Sequence, residues 1–329
     1  MRKALLQLIA TAALLVTTAA AAEPELDDAI TAFENGDFDT AREVFAAHPK
    51  HPVALMYLSQ VVRREDLDES EELIERAVEL APDYAEAQFQ RGITMGAQAN
   101  TSIFSALGYA KKALRSFKRA VEIEPETVLY RQGLMGFYLA APGIAGGDME
   151  LAWQQVQEIA KLDARSGTIA ELDYLRADDQ QEAFQRRLNE AVETHNAIPD
   201  FYFLAGLNAQ AENEYQRAHE LFLAGSQQQA PDERSEKARL SALYQVARTA
   251  VFSGNHVPQG TAAIQRYLDE NPGKPDLPSR DWAEFRLAQL YHLQGDSEQA
   301  MEIINRLQNS QDESLTKALT EHRRELAAK

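Results

Sequence analysis

Apolar residues recur at spacings of three and four along nearly the whole chain, and strict alternation is scarce. That period predicts helices throughout and almost no strand. A second pattern lies on top of the first. Gly36, Gly147 and Gly295 are each followed directly by an aspartate (Asp37, Asp148, Asp296) and, five residues after the glycine, by an alanine (Ala41, Ala152, Ala300). Ala77 and Ala120 each precede a proline, Pro82 and Pro125, by five residues. Each piece has a physical job: the glycine closes one helix in a left-handed cap, the aspartate caps the next, the alanine lets two helices approach, and the proline stops the second.

These signals describe helix, turn, helix, turn at a period of about 34 residues. The pattern resembles the tetratricopeptide repeat family, with the best copy over 201–231, where Ala205, Gly206, Ala218 and Phe222 take the small and aromatic positions. The resemblance implies an all-α, right-handed α-solenoid of about eight hairpins. We read them at 26–48, 52–82, 85–124, 126–164, 168–198, 200–231, 235–271 and 281–309, the pair at 168–198 carrying the weakest signature. A polar helix over 315–327 suits the role of a cap on the last apolar face. The domain plan is then a leader over 1–22, a repeat array over 23–309 and a capping segment over 310–329, with a candidate hinge at 271–280, where three prolines cluster.

The leader reading rests on Arg2 and Lys3, an apolar run from Ala4 to Val16, and small residues ending at Ala22. That is a secretory signal peptide, too short in its apolar part for the ~20 residues of a spanning helix. It predicts an exported, periplasmic protein with no integral membrane segment after processing. The chain contains no cysteine, so disulfides and thiolate metal sites are excluded. A net charge of −18 disfavours nucleic acid and anionic membrane as partners over most of the surface.

Against this acidic background, the stretch from Ala87 to Gly147 holds seven basic residues and three acids. Lys111, Lys112, Arg115, Lys118 and Arg119 should form a basic helix face: either a docking patch for an acidic partner, sugar phosphate or lipid head group, or a solvated face paired with neighbouring acidic repeats. The same stretch carries two irregularities, insertions at 96–109 and 141–148, both in the turn inside a repeat. Equivalent turns stack along one edge of a solenoid, so the two loops should touch. Ile103, Phe104 and Ile144 are the contacts expected there, with Ile144 inserting under the neighbouring loop. The string 137–148 also resembles one found in exported bacterial tetratricopeptide proteins, which implies no activity.

The resemblance further implies that one face of each first helix lines a concave groove. In that register the groove presents Leu55, Phe89, Gln132, Phe203, Tyr244 and Phe285, a ladder that would hold an extended or helical peptide. The alternative is that these residues pack between helices. The lysine and asparagine pattern of the family's carboxylate clamp is absent. Gly143, Gly146 and Gly147 lack the lysine and hydroxyl of a phosphate loop, no serine nucleophile signature occurs, and the seven histidines are scattered without a zinc spacing. No catalytic, metal or cofactor residue is expected. The chain reads as a non-enzymatic scaffold for a protein or peptide partner in the cell envelope, with self-association open, and with carbohydrate, lipid or anion binding through the basic patch and loops as the alternative.

Overall fold

The computed structural model describes residues 24–101, 105–194, 198–271, 273 and 276–327. The first 22 residues, Ile103 and Phe104 lie outside the described residues, and so do the expectations placed on them. Seventeen α-helices and no strand make up the described chain. Sixteen helices form eight hairpins. The first four are α1 (Pro24–Glu34) with α2 (Phe38–Ala46), α3 (Pro52–Val62) with α4 (Leu67–Leu80), α5 (Ala85–Thr101) with α6 (Ala106–Ile123), and α7 (Val128–Ala140) with α8 (Met149–Leu162). The second four are α9 (Ala164–Ala177) with α10 (Gln181–Thr194), α11 (Pro199–Ala211) with α12 (Tyr215–Ser226), α13 (Glu233–Ser253) with α14 (Val257–Glu270), and α15 (Arg280–Leu293) with α16 (Ser297–Arg306). The last helix, α17 (Glu313–Ala327), packs on α15 and α16 through the buried Leu315 and Leu319.

One turn recurs inside four hairpins. Residues Gly36, Asp179, Asn213 and Gly295 all have positive φ, at 80°, 55°, 63° and 86°. The next residue then donates its N–H five positions back: Asp37 to Ala32, Gln180 to Leu175, Glu214 to Ala209 and Asp296 to Tyr291, at 2.8 to 2.9 Å. This is the bonding that closes a helix through a left-handed residue. Asp and Asn tolerate that conformation because their short side chains can bond locally, so the turn survives without its glycine.

Counting from the residue after this turn sets the second helix. Four positions on lie Ala41, Ser70, Ala152, Phe184, Ala218, Gly260 and Ala300, all buried; four further lie Phe45, Ile74, Val156, Leu188, Phe222, Ile264 and Ile304, also buried. Hairpin three places the same pair, Ala113 and Phe117, deeper in a lengthened α6. The small residue brings the helices close, and the large one fills the space a turn later. The first helix answers with its own small residues: a Cβ on Gly92 would lie 2.6 Å from the Phe117 ring, and one on Gly206 would lie 2.5 Å from Phe222.

First helices also touch one another (α3 with α5, α7 with α9, α11 with α13, α13 with α15), so they line one side of the array. The apolar core runs along the stack in three clusters, hairpin one to the first helix of hairpin five, hairpins five to six, and hairpins six to eight. At 271–280 the described residues are tied down: Lys237 bonds Asp276 at 2.6 Å, Tyr267 bonds the carbonyl of Pro278 at 2.5 Å, and Leu277 is buried. Between hairpins six and seven, His219 stacks on His256 at 4.2 Å, and His256 Nε2 meets Gln216 Oε1 at 2.6 Å. Burial, then the neighbouring His256, hold His219 below its ordinary value.

Two outcomes follow. In Gly206→Ala the better helix propensity of alanine meets a fully buried Phe222 ring with no room to yield, and overpacking wins, at a cost of about 1–3 kcal/mol in urea unfolding. Gly136→Ala, in the middle of α7 with nothing within 4 Å of the new Cβ, should instead gain up to about 1 kcal/mol. For His219 the folded state binds the proton less readily than the unfolded one, so stability is complete above the ordinary value of 6.5 and falls as pH drops below it. The acid-side loss between pH 7 and 5, read from urea midpoints, should be shallower in His219→Gln.

Candidate functional site

The aromatic ladder is where the structure corrects the sequence most. Phe89, Tyr244 and Phe285 are 5%, 7% and 2% exposed, and Leu55 is buried with them. Phe89 packs edge-on to Phe117 and tilted on Tyr130, and Phe285 sits edge-on to Trp282 and His322. They fill the seams between hairpins and offer a partner little surface. Only Gln132 and Phe203 keep part of their surface. Of the residues next along, Gln245 and Arg286 are half-buried, whereas Gln90 is buried like Phe89. Polar contacts run beside the ladder, with Arg63 bonded to Gln90 at 2.8 Å and Arg248 to Gln245 at 3.3 Å.

The two insertions behave differently from each other. Most of 96–109 is helix, not loop: α5 and α6 absorb the extra residues by growing to 17 and 18 residues. The second insertion folds as a 3₁₀ turn, Gly143–Ala145, closed by Gly146 at φ 105°. The left-handed residue is thus Gly146, not Gly147. Gly147 is required for another reason: a Cβ there would lie 1.6 Å from the carbonyl oxygen of Ala141. Asp148 then caps α8, accepting from the N–H groups of Glu150 and Leu151 at 2.9 and 3.0 Å.

The second insertion packs on α6 beyond the first: a Cβ on Gly146 would come 2.5 Å from Leu114, and both insertions line one cleft. Between them opens a cleft of about 480 Å³, lined mostly by apolar atoms of Ala99, Leu107, Ala110, Phe137, Pro142 and Ile144, with Asn100 as a polar member. Ile144 does not insert under its neighbour; it stands 76% exposed at the mouth, and Ala145 is the residue that turns inward. Leu107 is also exposed, at 38%. An exposed isoleucine over an apolar cleft is a surface that costs free energy in water and is relieved by covering it.

The basic face divides in two. Lys112 binds Glu75 at 2.8 Å, and Arg119 binds Asp83 at 2.5 Å and Glu122 at 3.1 Å, so both are tied to acids, of α4, the turn after it and α6 itself. Lys111, Arg115 and Lys118 are exposed with no ion pair among the described residues; Lys118 lies 5.9 Å from the Tyr138 ring centroid. Lys111 follows Leu107 by one turn of α6, which sets a cation beside the rim of the cleft.

No group of three or more His, Asp or Glu residues among those described has the arrangement of a metal site. No described helix is long and apolar enough to cross a membrane. Trp153 packs on Tyr174 at 4.9 Å, and the indole N–H of Trp282 donates to Asp312 at 2.8 Å. Tyr57, Tyr84 and Tyr130 neighbour Glu86 near hairpins two to four; burial pushes the Tyr57 and Tyr130 hydroxyls up to about 12 and also raises Glu86.

Residues 285–313 match the family model described as tetratricopeptide repeat. They run from the middle of α15 through α16 to the start of α17. No curated protein matches the chain. Among solved structures, a thermophilic TPR protein from Thermus thermophilus is 16% identical over 54% of this chain and 93% of its own, with a TM-score of 0.44. A tetratricopeptide repeat protein from Parabacteroides merdae is 13% identical over 90% of this chain and 96% of its own, with a TM-score of 0.40. PilF of Pseudomonas aeruginosa is 12% identical over 87% and 99%, with a TM-score of 0.39. Overlaps this loose carry no argument of their own; the matched segment and the hairpins do. Residues 285–313 match one tetratricopeptide repeat at the end of a row of eight helix hairpins, and the described residues form an all-α array that resembles a tetratricopeptide solenoid.

Proposed function

We propose that this protein is a non-catalytic scaffold that holds a segment of a partner protein, with the cleft between hairpins three and four as its anchor. The observation that carries the reading is Ile144, mostly exposed at the mouth of an apolar cleft that two departures from the repeat plan build together. A regular array has no need of either departure. Their meeting at one edge supplies a pocket for an apolar side chain, the kind of anchor on which binding energy concentrates. Lys111 near its rim, with Arg115 and Lys118 further along α6, all without an ion pair among the described residues, would orient an acidic partner and speed encounter.

The envelope is the compartment we propose for this activity. Its support is the leader pattern over 1–22 and a cysteine-free composition that needs no redox control. A second reading, binding of a carbohydrate phosphate, lipid head group or other anion, is favoured by one observation, the three unpaired cations of α6.

Ile144→Glu puts a charge at the mouth of the cleft and should reduce recovery of the crosslinked partner from envelope extract about ten-fold or more, with the unfolding midpoint unchanged because the side chain is exposed. The triple change Lys111→Glu, Arg115→Glu, Lys118→Glu should slow capture at low salt and leave it intact at high salt. The anion reading predicts loss from the triple variant and none from Ile144→Glu. Intact-mass analysis of the protein from its own host should give a chain beginning at Glu23; a chain retaining Met1 would remove the export proposal.

A further inference from the structure

Several partly buried arginines of this array are held by acids, while Arg63 and Arg131 donate to neutral oxygens. Arg165 binds Asp232 at 2.7 Å, Arg187 binds Glu171 at 2.6 Å, and Arg239 binds Glu236 and Glu270 at 2.6 Å each. On α13 and α15, the first helices of hairpins seven and eight, two further arginines also lack an acid. Arg248 of α13 donates through Nη1 to Gln210 and Gln245, at 2.9 and 3.3 Å. Arg286 of α15 donates through Nε to the Tyr244 hydroxyl at 3.3 Å and through Nη1 to Gln289 at 2.7 Å. Neither meets a carboxylate among the described residues. Instead both face the ring of Phe252, at 4.7 and 5.8 Å from its centroid, and Arg286 also lies over Trp282 and Phe285.

Two guanidinium groups set side by side repel one another, and burial adds to the cost. Both effects act on Arg248, where burial and then Arg286 hold the group below its ordinary value. In a chain of net charge −18, acids to neutralise them are plentiful elsewhere and missing here. The rest of the surroundings hold the pair in place: glutamine carbonyls fix the forks, and the rings of Phe285 and Trp282 form a floor. Nε and Nη2 of Arg248 and Nη2 of Arg286 have no partner among the described residues and are not enclosed. Phe252 is 49% exposed and also lines an open depression of about 730 Å³ with Tyr215, Asn255, Glu214, Arg217 and Glu220.

We infer that Arg248 and Arg286 are a receptor for a side-chain carboxylate of an acidic partner segment, whose flanking apolar residue rests on Phe252. The unused N–H groups match the two-oxygen fork of an Asp or Glu side chain. A single carboxylate between apolar neighbours fits better than a polyanion, because the surrounding protein repels extended negative charge. The inference rests on the reading of the chain as a binder of protein segments, and it concerns hairpins seven and eight, away from the Ile144 cleft.

The test uses the full chain, immobilised, and paired pools of acetylated, amidated hexapeptides. One pool fixes Glu between two Leu residues with the rest random; its twin fixes Gln. The Glu pools should be retained about ten-fold over the Gln pools by the wild type, and about equally in Arg248→Gln, Arg286→Gln. Ile144→Glu should leave the ratio unchanged, which separates failure of this site from failure of the cleft. Equal retention by the wild type, a ratio that survives loss of both arginines, or preference for phosphoserine pools with none for Glu would each overturn the inference. Because the pair has no acid to lose, each single variant should unfold within about 2 °C of the wild type. A larger fall assigns the arginines a structural task and also overturns it.

Discussion

Everything in this array depends on how closely the two helices of a hairpin can approach. Seven of the eight hairpins place Ala, Ser or Gly where the second helix crosses the first, and a large side chain a turn later fills the space that this approach creates. Close approach fixes the angle of the hairpin, the angle fixes where the next hairpin can stack, and the stack decides which residues look outward. Hairpin five is the exception. Phe184 stands at the crossing, its two helices pack less extensively than those of any other hairpin, and the core divides into separate clusters on this stretch. A bulky residue at the crossing keeps the helices apart, so the loosest part of the stack is traceable to one side chain.

Much of this architecture is legible in the sequence, and what was hidden has a physical cause. Hairpins one and eight declare themselves because Gly36 and Gly295 mark the left-handed turn in the plainest way. Hairpins five and six make the same turn with Asp179 and Asn213, residues that also serve in many other turns and so give no comparable signal. The phase of the first helices was harder still. They have apolar residues on more than one side, because each packs on its own partner and on the neighbouring first helices, and apolar periodicity then cannot say which residue points inward. Phe89, Tyr244 and Phe285 are buried between helices for this reason. The spacing that could have exposed the arginines is there: Gln245, Arg248 and Phe252 share one face of α13, as Trp282, Arg286 and Gln289 do on α15.

The burial of these rings changes what they can do. A ladder of buried rings cannot grip a ligand, but it can hold polar groups in place, and Tyr244 and Phe285 do so for Arg286. The edge of the array repeats the theme at the two insertions. Lengthened helices on one side and a glycine turn on the other leave an apolar gap that regular repeats would close. Binding surfaces here arise where the repeat plan is interrupted, and the intact part of the plan makes those interruptions rigid.

The claim that the small crossing residue governs the fold is tested most directly by widening it in turn. Ala→Val at 41, 113, 152, 218 and 300, measured by urea unfolding, should destabilise each variant by about 1–3 kcal/mol, far beyond the loss from Ala→Val at an exposed position of the same helices. Variants that unfold at the wild-type midpoint would show that the helices have room to spare, and that something other than close approach sets the stack.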